Sequence, residues 1–378
     1  MIYFDHNATT PLHPVARDAW LEAAERYPGN PSSPHRVGAR ADAALMAARE
    51  ELASMLGCDA LDIVWTSGAT ESNNTVFHHL SRTAGSSPAA EVWVSAIEHP
   101  CVLESARRHF ADRQRLIPVS KAGTVDLDWL KKELSRNRPA LVAVMAANNE
   151  TGVVQPWEAV RTLCLEHSVP FFCDAAQWVG KRTSTGLGRC DFVSGCAHKF
   201  GGPKGVGFLK VPAKGRLEPL LVGGPQEEGR RAGTENVASI LSMVAVLRHR
   251  QKQIDAGEDK MRAGFRERFE KELVSALPGS ELVGADSPRL WNTVSALMPE
   301  VDDCQQRWVV KLDKAGFAVS TGSACASGKE ESSHVLRAMA YRPEQASRVL
   351  RFSAGWETVM EDWDALLKAL VAVNGAMK

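Results

Sequence analysis

Two kinds of apolar run alternate along this chain. Short, nearly unbroken runs lead from Asp62 into Ser67-Gly68 and cover 91–96, 141–147 and 169–174, each ending in polar or glycine-containing residues. Longer stretches at 14–26, at 37–56 with Gly57 as a stop, and from 237 to about 253 have helical spacing. Strands that are apolar throughout and separated by helices predict a mostly parallel sheet covered on both faces. The loops are equally legible. Three prolines and a glycine fix 28–35 as a rigid turn, and 223–236 reads as a long polar, glycine-rich loop. A charged helix follows Gly257 and ends at Pro278-Gly279. Beyond it, strands at 291–297, 318–321 and 349–353 alternate with helices. The expected organisation is a large α/β domain over 15–256. A smaller C-terminal α+β domain over 257–378 completes it, joined by residues 1–14.

Composition narrows the function. The chain has 378 residues, with 45 lysines and arginines against 45 aspartates and glutamates. A balanced charge disfavours nucleic acid or a membrane surface as partner. No run approaches the length of a transmembrane span, and Met1-Ile-Tyr-Phe-Asp-His lacks a signal-peptide pattern, so a cytoplasmic protein is expected. The eight cysteines form no Cys-x-x-Cys pair, which argues against a structural zinc site and for reduced thiols, most of them buried.

Chemistry concentrates at the ends of the apolar runs. Lys199 lies between the run beginning at Asp191 and the glycines Gly201, Gly202, Gly205 and Gly207. A lysine among apolar and small residues loses hydration and becomes nucleophilic, as a Schiff base with an aldehyde cofactor requires. Asp174 ends the run at 169–174, where it needs a partner such as a protonated ring nitrogen. The strand, Ser67-Gly68 turn and helix starting near Thr70 form a phosphate cradle in outline. His99, just past a strand end, is a site residue or a capping or core histidine. Arg351, inside an apolar strand, is a carboxylate fork or half of a structural salt bridge. Cys325 sits in Ser323-Ala-Cys-Ala-Ser-Gly, which offers little to bury it, so its reactivity comes into question. A metal site built on Cys190, Cys196 and His198 lacks ligand spacing.

Taken in order, these stretches resemble the cysteine desulfurases of the NifS/IscS type, in the class V aminotransferase family of fold-type I pyridoxal-phosphate enzymes. The motifs span nearly the whole chain: Asp5-His-Asn-Ala-Thr-Thr, Gly29-Asn-Pro-Ser-Ser, Thr66-Ser-Gly-Ala-Thr-Glu-Ser-Asn-Asn, Glu98-His-Pro, Asn148-Asn-Glu-Thr-Gly, Asp174-Ala-Ala-Gln, Ala197-His-Lys-Phe-Gly-Gly-Pro-Lys-Gly, Arg231-Ala-Gly-Thr-Glu-Asn and Ser323-Ala-Cys. The resemblance implies pyridoxal 5'-phosphate as cofactor, L-cysteine as substrate, a homodimer, and a sulfur-acceptor protein as partner. It makes Lys199 the Schiff-base lysine, Asp174 the partner of the ring nitrogen, and His99 the residue stacked on the ring. Gln177 and Asn149 flank the ring's phenolic oxygen. Ala69, Thr70 and His198 hold the phosphate, with Thr234 reaching over from a second subunit. Arg351 takes the substrate carboxylate, Asn149 also contacts the substrate, and Cys325 takes up sulfur. Selenocysteine lyases and true aminotransferases of the same family are the nearest alternatives, and a non-catalytic sulfur-relay protein on the same fold is a more distant one. Three features depart from the family pattern. Cys196 stands at a cofactor-binding position where the family usually has a serine that donates to the phosphate, Gly355-Trp356 replaces Gly-Arg, and the chain stops at Lys378 without the longer tail that docks a scaffold partner.

Overall fold

In a computed structural model, residues 1–83, 90–212, 216–301, 304–322 and 333–377 are described, with the side chains of 304–306 excepted. After β1 (Ile2–Tyr3) come α1 (Pro14–Arg26), α2 (Arg36–Leu56), β2 (Ile63–Thr66), α3 (Ala69–Arg82), β3 (Val92–Ser95), α4 (Pro100–Phe110) and β4 (Gln114–Ile117). The middle of the chain adds α5 (Leu127–Leu134), β5 (Leu141–Ala143), α6 (Trp157–Glu166), β6 (Phe171–Asp174), β7 (Phe192–Cys196) and β8 (Gly207–Lys210). Helices α7 (Val237–Asp255) and α8 (Glu258–Ala276) lead to β9 (Glu281–Leu282), β10 (Thr293–Leu297), α9 (Cys304–Lys314) and β11 (Phe317–Ala318). The chain closes with α10 (His334–Ala338), α11 (Pro343–Ala346), β12 (Val349–Ser353) and α12 (Met360–Gly375).

Strands β2 to β8 form one seven-stranded sheet in the order β2-β8-β7-β6-β5-β3-β4. Its layering follows from the alternation of side chains along each strand. In β3, Trp93 enters the core shared with α2, α6 and α7, while Val92 and Val94 enter the core shared with α3 and α4. In β6, Phe171 and Cys173 face the first core and Phe172 the second. A strand packed on both faces has no polar face to show, which is why these runs read as apolar throughout.

Pairing is parallel from β4 through β7, but β8 runs antiparallel to both of its neighbours, β7 and β2. The expected parallel sheet therefore contains one reversed strand. The smaller sheet, β12-β10-β9, is antiparallel, and β1 pairs in parallel with β11. Phe4 packs beside Phe352 and Trp363 in the core of this C-terminal region.

Some strands are shorter than the apolar runs suggest. Regular pairing in β5 stops at Ala143, although Val144 and Ala146 still donate to the carbonyls of Phe172 and Asp174. The run at 291–297 pairs only from Thr293. The expected strand at 318–321 is β11, Phe317–Ala318, followed by an isolated bridge between Ser320 and Arg351. Past the run at 141–147 the chain turns, with Asn148 Oδ1 accepting the backbone N–H groups of Glu150 and Thr151.

Candidate active site

The carboxyl ends of β2, β3, β5, β6 and β7 open on one cavity of about 750 Å³. Every site residue expected from the sequence lines it except Thr234 and Cys325. Thr234 lines a neighbouring cavity of about 210 Å³ beside Ser67, Gly205 and Arg231. Cys325 and its loop lie outside the described residues.

The turn after β2 is shaped by glycine. Gly68 adopts φ +149, which L side chains rarely accept, and caps α3 with no side chain of its own. A Cβ on Gly207 would lie 2.5 Å from the carbonyl oxygen of Gly195 and 2.7 Å from the Cα of Gly68. The first turn of α3 therefore opens beside β7 and β8, with Ala69 and Thr70 at its start. Cys196, at the end of β7, is 2 % exposed, and its sulfur takes the N–H of Ala69. Burial pushes its thiol up to about 11, so it stays protonated.

Lys199 follows the short 3-10 turn after β7. Its Nζ donates to the carbonyls of Asn7 (2.6 Å) and Ala8 (2.8 Å), and no carboxylate pairs with it among the described residues. Burial lowers its pKa, with the charge of Arg351 adding to the effect against the pull of Cys196 and Asp174. The setting is thus that of a nucleophilic amine. His198 bonds through Nδ1 to the Thr9 hydroxyl (3.2 Å), and burial together with the charges of Lys199 and Lys204 lowers it to about 4.

Asp174 closes β6, 5 % exposed. Asn73 Nδ2 donates to its Oδ2 (2.8 Å) and the Ala176 N–H to its Oδ1 (2.9 Å). Each oxygen keeps acceptor capacity for one more N–H. His99 is the capping histidine of the sequence reading, and it also lines the cavity. It caps α4, its Nδ1 accepting the Cys101 N–H at 3.2 Å. That bond commits Nδ1 as an acceptor and leaves the neutral ring's proton on Nε2. Burial lowers its pKa, opposed by Asp174.

Arg351 is half of a structural salt bridge with Asp5. It is 1 % exposed, its Nη2 pairs with Asp5 Oδ1 at 2.7 Å, and its Nη1 donates to the carbonyls of Asn149 and Gly322, both at 2.9 Å. Its buried Nε has no hydrogen-bond partner among the described residues. Two of its five N–H groups therefore remain for a bound carboxylate.

The geometry also brings in residues the sequence did not single out. Cys101 lines the cavity, with its Sγ 3.0 Å from His99 Nδ1 and 3.1 Å from Asn73 Nδ2. Burial pushes this thiol up to about 12, so it remains neutral. Asn7 accepts Lys199 through its backbone carbonyl and Lys181 through its side chain. Position i+2 after His99, at the N-terminus of a helix that starts at a strand end, was the available signal for Cys101. Asn7 stood inside a quoted motif with no role attached.

The cavity suits a phosphorylated aldehyde carrying a basic ring. An amine without an ionic partner among the described residues shares the cavity with a helix N-terminus for the phosphate and a buried carboxylate for a ring N–H. No cluster of three or more metal-ligating side chains occurs among the described residues, and no helix there is long and apolar enough to cross a membrane.

The aminotransferase class-V family pattern matches residues 2–366. A cysteine desulfurase of Gluconacetobacter diazotrophicus is 37% identical over 100% of this chain and 94% of its own length. One from Enterobacter agglomerans is 39% identical over 93% of this chain and 87% of its own. The cysteine desulfurase IscS of Dictyoglomus turgidum is 36% identical over 98% and 93%. Among solved structures, a NifS-like protein superposes with a TM-score of 0.90 at 29% identity, covering 99% of both chains. SspA in complex with cysteine gives 0.80 at 27% identity, over 95% of this chain and 100% of that one.

Proposed function

We propose that this chain, which belongs to the class V aminotransferase family, is a pyridoxal-phosphate-dependent cysteine desulfurase that converts L-cysteine to L-alanine and keeps the sulfur as a persulfide on Cys325. One observation carries the reading: Lys199, Asp174 and the α3 N-terminus meet in a single cavity at the carboxyl edge of the sheet. The cysteine-bound relative and the full-length cysteine desulfurases support the choice of substrate.

Lys199 is the residue for the cofactor's aldehyde, Asp174 for its ring nitrogen, and Ala69, Thr70 and His198 for its phosphate. Asn149 and Gln177 serve the ring oxygen. When bound, pyridoxal phosphate supplies an electron sink that stabilises negative charge at the substrate Cα. The chain's own residues do the rest. Arg351 binds the substrate carboxylate through the N–H groups that Asp5, Asn149 and Gly322 leave open. Lys199, its amine weakened as a base by burial, would remove the Cα proton of the bound substrate. His99 carries its proton on Nε2, so it acts first as a donor toward the substrate or cofactor and only afterwards as a base. The Cys325 thiolate attacks the substrate sulfur: an S–S bond forms, the Cβ–S bond breaks, and the carbon skeleton keeps the electron pair, takes up protons and leaves as L-alanine.

The same reading makes the protein a homodimer in which Thr234 completes the partner's phosphate site, and it makes the Cys325 persulfide a donor to an acceptor protein. Incubation with unlabelled or 34S-labelled L-cysteine followed by peptide mass spectrometry tests it. One extra sulfur on the Cys325 peptide, removable by dithiothreitol, together with alanine in solution, is the expected result. Formation of a 2-oxo acid with no persulfide would replace it with an aminotransferase.

A further inference from the structure

Lys181 is buried beside the cavity and plays no part in the chemistry described above. It is 2 % exposed, and no carboxylate pairs with it among the described residues. Its Nζ has two acceptors, Gln177 Oε1 at 2.6 Å and Asn7 Oδ1 at 2.9 Å. Two acceptors match the two N–H groups of a neutral amine and leave one proton of an ammonium unpaired. Burial, with the charges of Lys199 and Arg351, pushes its pKa well below the usual lysine value, in agreement with that count. Its backbone is fixed as well, since its N–H reaches Trp178 O and its carbonyl takes Trp291 Nε1 at 3.0 Å.

This contact decides which way the amide of Gln177 points. Gln177 Nε2 donates to the Asn7 carbonyl at 2.9 Å, a carbonyl that also accepts Lys199 Nζ. Turning the amide over would set its carbonyl oxygen against that of Asn7 and leave the Lys181 donor without its acceptor. Asn7 is locked the same way. Its Oδ1 accepts Lys181 and Asn292 Nδ2, and its Nδ2 donates to Asn149 O at 3.1 Å and Thr293 Oγ1 at 2.8 Å. Gln177, Asn149 and Lys199 all line the cavity, and Lys181 lies behind them.

We infer that Lys181 is a positioning residue: it holds Gln177 with its N–H side committed toward Asn7 and the cavity, and through Asn7 it fixes the seat of Lys199. The inference rests on the cofactor reading above and deepens it, because an amide held this way presents a donor to an oxygen of the bound ring.

Lys181→Met keeps the length and apolar stem of the side chain and removes its donors. Apoprotein titrated with pyridoxal 5'-phosphate should show a dissociation constant raised by about tenfold, the effect of one buried acceptor left unpaired. The absorption maximum of the bound cofactor should move with it. In a Gln177→Ala background the same substitution should cost little more, because the two residues act as a unit. The inference is overturned if Lys181→Met binds as the unaltered protein does with an unmoved spectrum, or if its effect adds in full to that of Gln177→Ala. A fall in melting temperature with affinity and spectrum unchanged overturns it as well, since that marks a purely structural lysine. If the unaltered protein fails to bind pyridoxal phosphate at all, the cofactor reading falls, which is a different result.

Discussion

On the proposed reading, the sulfur of Cys196 faces the cofactor phosphate, where a hydroxyl would make a stronger bond. It takes the Ala69 N–H at the end of β7, and burial keeps it protonated. A thiol is a weak donor. Cys196→Ser should therefore leave pyridoxal phosphate affinity unchanged or tighten it, by on the order of 1 kcal/mol, as read by titration of the apoprotein. A large loss of affinity would mean that the thiol packs as a hydrophobe. His6 offers a second prediction at this scale. Its ring is 7 % exposed, it packs edge-on to Tyr3, its Nδ1 lacks a partner among the described residues, and burial lowers it to about 4. The unfolded chain protonates near the ordinary 6.5, so below that pH it binds a proton that the folded protein refuses. The contribution of His6 is complete above about 6.5 and is lost as the pH falls toward 4. Urea midpoints measured from pH 7 down to pH 4.5 should decline, and His6→Asn should flatten the decline.

Helix α2 and the loop at 223–236 are tied by one buried ion pair. Arg49 Nη1 and Nη2 reach Glu227 Oε2 and Oε1 at 2.8 and 2.7 Å, and Oε2 also takes the Trp65 N–H at 3.0 Å. Glu227 and Glu228 hold φ +51 and +58, a region costly for side-chain-bearing residues, so the loop's shape depends on that anchor. Arg49→Met leaves the Glu227 carboxylate buried and unpaired and should cost about 3–5 kcal/mol in denaturant unfolding; Arg49→Met with Glu227→Leu should recover part of it. Nothing in the loop's sequence announced this pair, because it joins positions 178 residues apart. Elements with local signals were legible. Pro14 opens α1, Gly57 at φ +77 closes α2, and Asn236 caps α7, so these helices fall within about two residues of their reading. Strand ends were read less well, because an apolar run at 141–147 continues past the last ladder pair. The reversed direction of β8 was invisible, since its four buried residues read alike in either sense. In the site, Lys199 and Asp174 stood out by their apolar setting. Lys181 did not, because a lysine four residues after Gln177 looks like any surface lysine until tertiary packing closes over it.

At the scale of the whole molecule, the position of Thr234 raises the question of what completes the site. Within one chain it lines the smaller cavity with Ser67, Gly205 and Arg231, not the one that holds Lys199. Arg231, three residues earlier, is tied to the N-terminal turn of α3 through Glu71, at 2.9 and 3.2 Å. Glu71 also takes the Ser67 N–H at 2.8 Å, so the loop is fastened beside the first turn of α3, with Thr234 outside the larger cavity. A long loop held this firmly at a site's margin usually serves a function. In a two-fold dimer, a residue that one subunit lends is lent back by the other. Lys199→Ala and Thr234→Ala subunits, each impaired alone, should then complement when unfolded together and refolded as a mixture. Half of the dimers formed are mixed, each with one site carrying both lesions and one site carrying neither, so activity should rise toward about a quarter of the unaltered value. Equal activity before and after mixing, or a fully active monomer by sedimentation, would show that Thr234 serves its own chain.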